Sequence, residues 1–591
     1  MSNRNGKLLI HKFNQYLLPS IVLVFALQIG CLANGIIMGQ LVGATALSAA
    51  SLATPFVYLL QLPALSLPAG LAIVLGNLFS KRKFLEAKRA FNVTLLFGLI
   101  LSILFIFVGI FFTNPICEFL CGSFTEYIPL MEDYLSIYFY SSPIYFIGLL
   151  VSYVLASDNH PHLSSLYFII VSIVHIFCEI LFCLFLPSEH ILIFVAMSNS
   201  IGFIVGLVVL IPYFLSKKRL LHFSFTKVSF TDLLVVLKAS LTNIFTYLLM
   251  FIMSLLIMRT ASNVFNDTKE MNVYVIITNM LFVIDICITG IIQMLPSIVS
   301  VLYGEKDYSG IRYVIKRVSI LLLVVSSLLL IVTLIYPNIY LLIFGIKNSE
   351  VSSDYELVIR IYAISFLFYS FNKLVQCYYP SILKNLPSLL NTFLQHGILG
   401  IPIGVGFIYL LNVKGYAIGM VLIEFLSLII TLVVALFYGK KIKIKNILLV
   451  PKSINSSNRI ELSINNIKDI EEVRNEIRKK ASELGGDSYC STYLALGSEE
   501  ILKNTFTYGY KNKDKNEGID IFLRKEENVI ILSMRENGVA FDPTIYDQKE
   551  SDDGLLHSIP LIKKLCNKIN YLRILNMNET IIEMDINRKD K

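Results

Sequence analysis

Charge is what this chain is short of. Of its 591 residues only 16% are Asp, Glu, Lys or Arg, 55% are hydrophobic, and mean hydropathy is +0.69. A soluble protein of that length needs far more charge to cover its surface, so the composition excludes an ordinary soluble enzyme and points to a chain that crosses a membrane repeatedly. Metal-ligand sets and disulfide frameworks are missing too: the nine cysteines are scattered, most of them within apolar runs. Cys117 and Cys121 share one loop, but their i,i+4 spacing suits one helix face better than a bridge. No cleavable signal is expected, because the basic stretch Met1–Lys12 precedes an apolar run too long for a signal-peptide core, and that run is expected to stay as the first span. The net charge of +8 sits mostly in loops beside apolar runs, where the positive-inside bias accounts for it, so no nucleic-acid partner is implied.

The shortage of charge is not uniform. Apolar runs continue to Tyr438, and after Gly439 the chain takes on the composition of a globular domain large enough to hold its own core. Twelve spans are expected: Leu17–Gln40, Pro55–Ser80, Phe91–Phe112, Tyr134–Ser157, Leu166–Leu186, Ile191–Leu215, Leu241–Ala261, Val273–Tyr303, Val318–Tyr336, Leu357–Tyr379, Leu389–Leu411 and Tyr416–Tyr438. Basic residues crowd the N-terminus, Lys81–Arg89, Lys217–Lys227, Lys306–Arg317 and Lys440–Lys445, and all fall on one side if the count is twelve. Both termini are then cytoplasmic, and the basic collar Gly439–Lys445 lies where it meets anionic membrane lipid.

The apolar part is built twice. Ser80–Phe91 returns as Gly304–Ile315, Asn114-Pro115 has an echo in Pro337-Asn338, Ile137-Tyr138 in Ile361-Tyr362, and Pro161–Leu166 in Asn385–Leu390, at an offset of about 223 residues. An even number of spans per copy makes the repeats parallel, which places the substrate cavity between two six-helix bundles that rock against each other. The expected organisation is therefore a first bundle over 1–215, a connector over 216–240, a second bundle over 241–438, a basic linker over 439–457 and a soluble domain over 458–591.

Within the spans, ionisable residues are the candidates for function, because a charge in the membrane is costly without a partner or a purpose. Asp285 lies mid-span in the eighth helix, and His175 and Glu179 share a helix face four residues apart. Such a His–carboxylate pair can relay protons near neutral pH. Lys373 in the tenth span and Glu424 in the twelfth are expected to pair across the bundle or to line the cavity.

The stretches Leu32-Ala33-Asn34-Gly35-Ile36-Ile37-Met38-Gly39-Gln40-Leu41-Val42-Gly43 and Ala46–Pro55, the long second span with Pro68, Gly70 and Gly76, and Ala156-Ser157-Asp158-Asn159-His160-Pro161 after the fourth span carry a resemblance. With the repeat and the topology, the chain resembles the multidrug and toxic compound extrusion (MATE) family over about three-quarters of its length. The resemblance implies a secondary antiporter in the cell membrane that exports small amphipathic, often cationic, compounds in exchange for H⁺ or Na⁺. Asn34 stands where family members often carry an Asp, and an amide cannot take up and release a proton. His175 and Glu179 stand where the family commonly has an Asn and an Asp.

In the C-terminal part, Arg459–Ile464, Ile519–Leu523, Val529–Met534, Tyr571–Leu575 and Thr580–Met584 read as strands. Ile467–Leu484, Tyr493–Tyr508 and Leu555–Asn570 read as helices, together an α+β two-layer sandwich. Glu500 and Asn504 share a helix face, and Asn537-Gly538 is a turn signal between strands without any ligand. Leu494–Asn504 and Glu536-Asn537-Gly538-Val539-Ala540-Phe541-Asp542-Pro543 resemble motifs of the GHKL ATPase fold, in particular the anti-sigma-factor serine kinases. That resemblance implies Mg-ATP as ligand. Asn504 would offer Mg²⁺ a carbonyl oxygen, Glu500 would orient or deprotonate the attacking hydroxyl, Glu536 would accept from the adenine amino group where Asp is usual, and Gly538 would let the backbone approach. The lid Asp552–Ile559 keeps Gly554 but lacks most of the glycines such a loop uses to wrap phosphate. A domain that has lost the chemistry would still dock an anti-sigma-antagonist-like protein.

Two other classes fit the same sequence. A lipid-linked precursor flippase shares the helix count and repeat, but calls for a more cationic cavity than Lys373 alone supplies. A membrane sensor with an anti-sigma-kinase-like output domain would bind its ligand without moving it.

Overall fold

The computed structural model describes residues 7–80, 83–157, 160–186, 190–215, 229–444, 446–451, 459–510, 518–545, 563, 566–574 and 577–586. It divides into two compact units: Ser20–Gln293 with Ser319–Val434, and Met1–Pro19 with Met294–Val318 and Ala435–Lys591.

The first of these units is helical. The helices that matter below are α1 (Lys7–Ile37), α2 (Pro161–Phe185), α3 (Thr268–Ile292), α4 (Leu295–Gly304), α5 (Tyr308–Ile335), α6 (Ser365–Ser381) and α7 (Gly400–Lys441); α4 lies wholly in the other unit, as do the first parts of α1 and α5 and the end of α7. Ten of the described helices or helix runs are long and apolar enough to cross a membrane, and an eleventh span is a pair bent by 50° between Thr125–Tyr140 and Ser142–Leu155. The run Asn385–Lys441 is 57 residues long and is broken where Asn412 takes φ +52° after Leu411, the place where the sequence separates two spans. The fourth span expected over Tyr134–Ser157 is the bent pair. The apolar side chains that find no partner line up on outer faces: on Phe84–Phe111, Ile100, Leu104, Phe107 and Phe111 repeat at helical spacing and are all more than half exposed, the pattern of a surface solvated by lipid. Cys117 and Cys121 are free and buried on the short helix Thr113–Cys121, as their spacing suggests.

The second unit is organised on a five-stranded antiparallel sheet of β1 (Arg459–Ile464), β2 (Ile519–Glu526), β3 (Val529–Glu536), β4 (Lys568–Ile574) and β5 (Met577–Asp585), in the order β1-β2-β3-β5-β4. Alternate residues Leu462, Ile521, Leu523, Ile530, Leu532, Ile582 and Met584 form one apolar face, against which α8 (Ile470–Glu483) and α9 (Ser488–Asn504) press Val473, Ile477, Cys490, Leu494 and Leu502. Period two in the strands and 3.6 in the helices is what makes this single core possible. Helix α9 starts five residues earlier than its hydrophobic pattern suggests, because Asp487 accepts the Cys490 N–H at 2.6 Å and caps it. Lys568–Asn570, expected as the end of a helix, belongs to β4, where Ile569 pairs with Ile582. Most of the helix expected over Leu555–Asn570 lies outside the described residues.

Candidate functional site

Asp285, mid-span on α3, is the best-connected ionisable residue of the helical unit. The Lys373 ammonium on α6 stands 3.1 Å from its Oδ1, the Tyr369 hydroxyl one turn earlier donates to the same oxygen, and Thr289 donates to it at 3.0 Å from the next turn of α3. Gln28 on α1 donates to the other oxygen at 3.0 Å, across 257 residues of sequence. Lys373 also lies over the Tyr369 ring at 5.2 Å. Four donors from three helices thus converge on one carboxylate. The Asp285 side chain is 18% exposed and that of Lys373 35%, so the pair is only partly withdrawn from the surface.

Gln28 has a second role. With Asn34, Gln61, Tyr138, His175 and Tyr247 it lines a cavity of about 860 Å³. That volume is within the range of sites for drug-sized molecules, and its walls mix aromatic rings with a few polar groups. Asn34 donates to the Tyr134 hydroxyl at 3.4 Å, Tyr134 and Tyr138 hydroxyls are 3.1 Å apart, and the Asn34 Oδ1 has no hydrogen-bond partner among the described residues. His175 and Glu179 do share one face of α2, with Nε2 3.4 Å from Oε2. The alignment is poor, so neither Glu179 oxygen is hydrogen-bonded among the described residues, although the side chain is fully buried.

Glu424 and Lys373 do not pair with each other in the described contacts. Lys373 goes to Asp285, and Glu424 on α7 sits in an amide network: Asn372 and Gln395 both donate to its Oε2 at 2.7 Å, Asn391 donates to the Asn372 carbonyl oxygen at 2.7 Å, and Gln376 donates to Asn391 at 3.0 Å. Gln395 reaches it from a π-turn, Leu394–Ile398, a widened turn that re-aims side chains. The expectation of an ion pair fails because Asn372 and Lys373, adjacent on α6, point in different directions around the helix.

In the sheet unit the two motifs read from sequence meet. Asn504 ends α9, and the π-turn Thr505–Gly509 that follows carries the Gly509 carbonyl to the Val539 N–H at 3.0 Å, beside Gly538. A side chain at Gly538 would stand 2.7 Å from that carbonyl oxygen and 2.8 Å from the Glu536 carboxylate, which is why only glycine fits there. Asn504 is 7% exposed, yet both its Oδ1 and Nδ2 lack a hydrogen-bond partner among the described residues. Glu536 accepts from the Gly538 N–H and, at 2.6 Å, from Asn578. Burial pushes the Glu536 carboxyl above the ordinary value, and Asn578, the Gly538 N–H, Arg573 and Lys12 offset only part of that rise. Glu500 is half-buried one turn before Asn504. Gly554 lies outside the described residues. No group of three or more His, Cys, Asp or Glu able to hold a metal ion occurs among the described residues.

Gln28, Tyr369 and Asn578 were not singled out from the sequence. Asn578 accepts from Tyr571 at 2.7 Å and from Arg573 at 2.6 Å while holding Glu536. Nothing in a lone Gln or Asn marks such a role; only the converging geometry does.

A family model described as MatE matches residues 19–181 and 243–405, two copies 224 residues apart that together make up more than half of the chain. That spacing agrees with the repeat seen in the loops. Among solved structures, the chain is similar to the inward-facing form of a multidrug resistance MATE family transporter of the MOP superfamily, at 15% identity and TM-score 0.61, over 72% of this chain and 99% of that one. It is similar to the MATE multidrug transporter DinF-BH in complex with R6G, at 18% identity and TM-score 0.59, over 76% and 98%. A MOP superfamily transporter from Pyrococcus furiosus, reported with a binding pocket of reversed polarity, matches at 15% identity and TM-score 0.57, over 75% and 100%. At these identities the likeness is one of fold. No curated protein matches the chain. The doubled match to the family model, laid over a series of helices long and apolar enough to cross a membrane, makes this chain a member of the MatE family of multi-pass membrane proteins.

Proposed function

We propose that the chain is a secondary antiporter of the cytoplasmic membrane, with both termini inside, that exports amphipathic cations in exchange for H⁺ or Na⁺. The observation that carries this reading is Gln28, which lines the cavity and donates to Asp285 at 3.0 Å. It sets the best-held carboxylate of the spans one side chain from the substrate space. An intramembrane acid–base pair costs stability and is kept where it moves with ion or substrate. Lys373 competes with an entering cation or proton for Asp285, so occupancy of the carboxylate and release of the lysine exchange, and a charge change beside the cavity follows. Asn34 supplies a neutral hydrogen-bonding wall rather than the coupling group.

R6G, the compound named with the DinF-BH structure, is a suitable probe. Proteoliposomes holding the full chain are expected to move it when a proton or sodium gradient is imposed, and Asp285→Asn to abolish the movement. Gradient-independent dye distribution over a broad panel of cationic dyes sinks the reading.

For the C-terminal domain we propose a nucleotide-responsive role in a GHKL-like fold. Its support is buried Asn504, both of whose polar side-chain atoms lack a hydrogen-bond partner among the described residues, beside the Glu536–Gly538 turn. A buried amide without partners carries a desolvation penalty that a ligand relieves. Asn504 would hold Mg²⁺ through Oδ1, and Glu536 has acceptor capacity left for an adenine amino group, since a carboxylate has about four acceptor positions. Glu500 stands ready to position a hydroxyl. Titration of the full chain with Mg-ATP is expected to release binding heat that Asn504→Ala removes. Absence of heat leaves the domain a dock for an anti-sigma-antagonist-like protein.

A further inference from the structure

The face of the sheet turned away from α8 and α9 carries charges that a two-layer domain would ordinarily leave in water. Arg535 on β3 is 1% exposed, and its neighbours across the ladder, Asp520 on β2 and Glu579 on β5, are 1% and 5% exposed. What covers them is the turn between α4 and α5. Arg535 pairs with Glu305 and, at 3.3 Å, with Asp307, while Arg524 donates to the Glu305 carbonyl at 3.0 Å. Lys306 pairs with Glu526 at 2.6 Å, and the Ser309 hydroxyl donates to Glu461. The guanidinium of Arg535 also lies over the Phe522 ring at 5.0 Å. Asp307 is fixed from its own side, accepting the Gly310 N–H at 2.9 Å as it caps α5.

The repeat shows that these acids are not required by the loop itself. The first copy reads Ser80-Lys81-Arg82-Lys83, and the second Gly304-Glu305-Lys306-Asp307. The two positions that grip Arg535 are basic, Lys81 and Lys83, in the first copy. The strand supplies a connection as well. Arg535 and Glu536 are consecutive on β3, so they point to opposite faces. Arg535 faces the turn, and Glu536 faces the side where it holds Gly538 and Asn578.

We propose that Glu305–Asp307 is the docking partner of the sheet's second face, and that Arg535 transmits changes at the Glu536–Asn578 turn to it, so that the C-terminal domain governs the movement of α4 and α5. The regulatory meaning rests on the transport reading above; the docking does not.

The test is hydrogen–deuterium exchange of the full chain in lipid nanodiscs, followed over residues 304–312. Arg535→Gln and the double change Glu305→Lys, Asp307→Lys are each expected to speed exchange there roughly tenfold, and Asn578→Ala roughly threefold, as a docked segment opens locally. If Arg535→Gln loses the sheet altogether, seen as lost protection in β2, the double change in the turn decides, because it leaves the sheet sequence intact. Unchanged exchange in the turn after that double change overturns the docking, and an unchanged turn in Asn578→Ala overturns the transmission. In proteoliposomes the double change is expected to alter gradient-driven dye movement at least threefold, and an unaltered rate overturns the regulation. A wild-type chain that moves no dye refutes the antiporter reading and the regulation together, while the exchange result still decides the docking.

Discussion

Removing both members of the Asp285–Lys373 pair is expected to cost less than the two single losses added together. At the 3.1 Å separation observed, two unit charges attract by about 5 kcal/mol at an effective dielectric constant of about 20. The lysine side chain is 35% exposed, so hydration offsets part of that attraction, and a net cost of about 2–3 kcal/mol is expected for Lys373→Met. Asp285 then keeps its hydrogen bonds from Tyr369, Thr289 and Gln28, which solvate the carboxylate but do not neutralise it. Asp285→Asn strands the ammonium instead, beside the face of Tyr369, and is expected to cost about 1–2 kcal/mol because Lys373 reaches water more readily. The double change Asp285→Asn with Lys373→Met leaves no unpaired charge and is expected to be more stable than the sum of the singles predicts by about 1–3 kcal/mol. The chain contains no tryptophan, so unfolding by SDS in mixed micelles is followed by far-ultraviolet circular dichroism. If the two single costs add to within about 0.3 kcal/mol, the pair is not coupled and the argument for a charge switch beside the cavity fails.

Other perturbations have equally definite outcomes. Gly39 packs on the Phe344 carbonyl, and Gly345, at φ +65°, lies against Gly39 and Gln40; Gly39→Val is expected to lower stability by about 1–3 kcal/mol through overpacking, whereas Gln40→Ala, on an exposed hydrogen bond to Ile343, should lower the thermal midpoint far less. Gly538→Ala is expected to cost about 1–3 kcal/mol by pushing the Gly509 carbonyl away, seen as faster exchange at the Val539 amide, and wild-type exchange there would contradict the packing described. Burial alone would raise the Glu526 carboxyl, but Lys306 and Arg524 outweigh it and hold it below its ordinary value. Because the folded value is the lower one, this contribution is present above the ordinary glutamate range and is lost as pH falls through the lowered value. With side chains 46% and 35% exposed, Glu526→Gln should cost no more than about 1 kcal/mol at pH 7, and the difference from wild type should close on acidification; a gap that stays constant down to acid pH excludes the ion pair as its cause.

The parts of this protein that follow a period or a composition were open to reading. Span positions, the parallel repeat and the change of character after Gly439 depend on local hydropathy and on where Lys and Arg cluster, and these survive in the structure as a series of membrane-length apolar helices followed by a sheet. The strands were legible for the same reason, since Ile521, Leu523, Ile530 and Leu532 alternate with residues of the other face. Boundaries drifted where one side chain decides them, as Asp487 does at the start of α9. The break at Asn412 falls between the spans read as Leu389–Leu411 and Tyr416–Tyr438, whereas the bend near Tyr140–Ser142 left no apolar signal to read.

Which polar groups find each other was not open in that way. Asp285, Lys373 and Glu424 stood out as costly residues, yet the pairing of the first two and the amide cage around the third depend on helix rotation, which hydropathy does not encode. Gln28 meets Asp285 across 257 residues, and Arg535 meets Glu305 across 230. The sequence alone determined that the chain crosses a membrane as two copies of one helical unit and ends in an α+β domain, because burial in lipid and in a core is settled by each segment's own pattern. Only the tertiary structure decided that a neutral glutamine joins the cavity to the half-buried acid, and that an arginine on the sheet closes on two carboxylates of a turn. Contacts of that kind cost desolvation on both sides, and only a fold that brings the partners together makes them favourable.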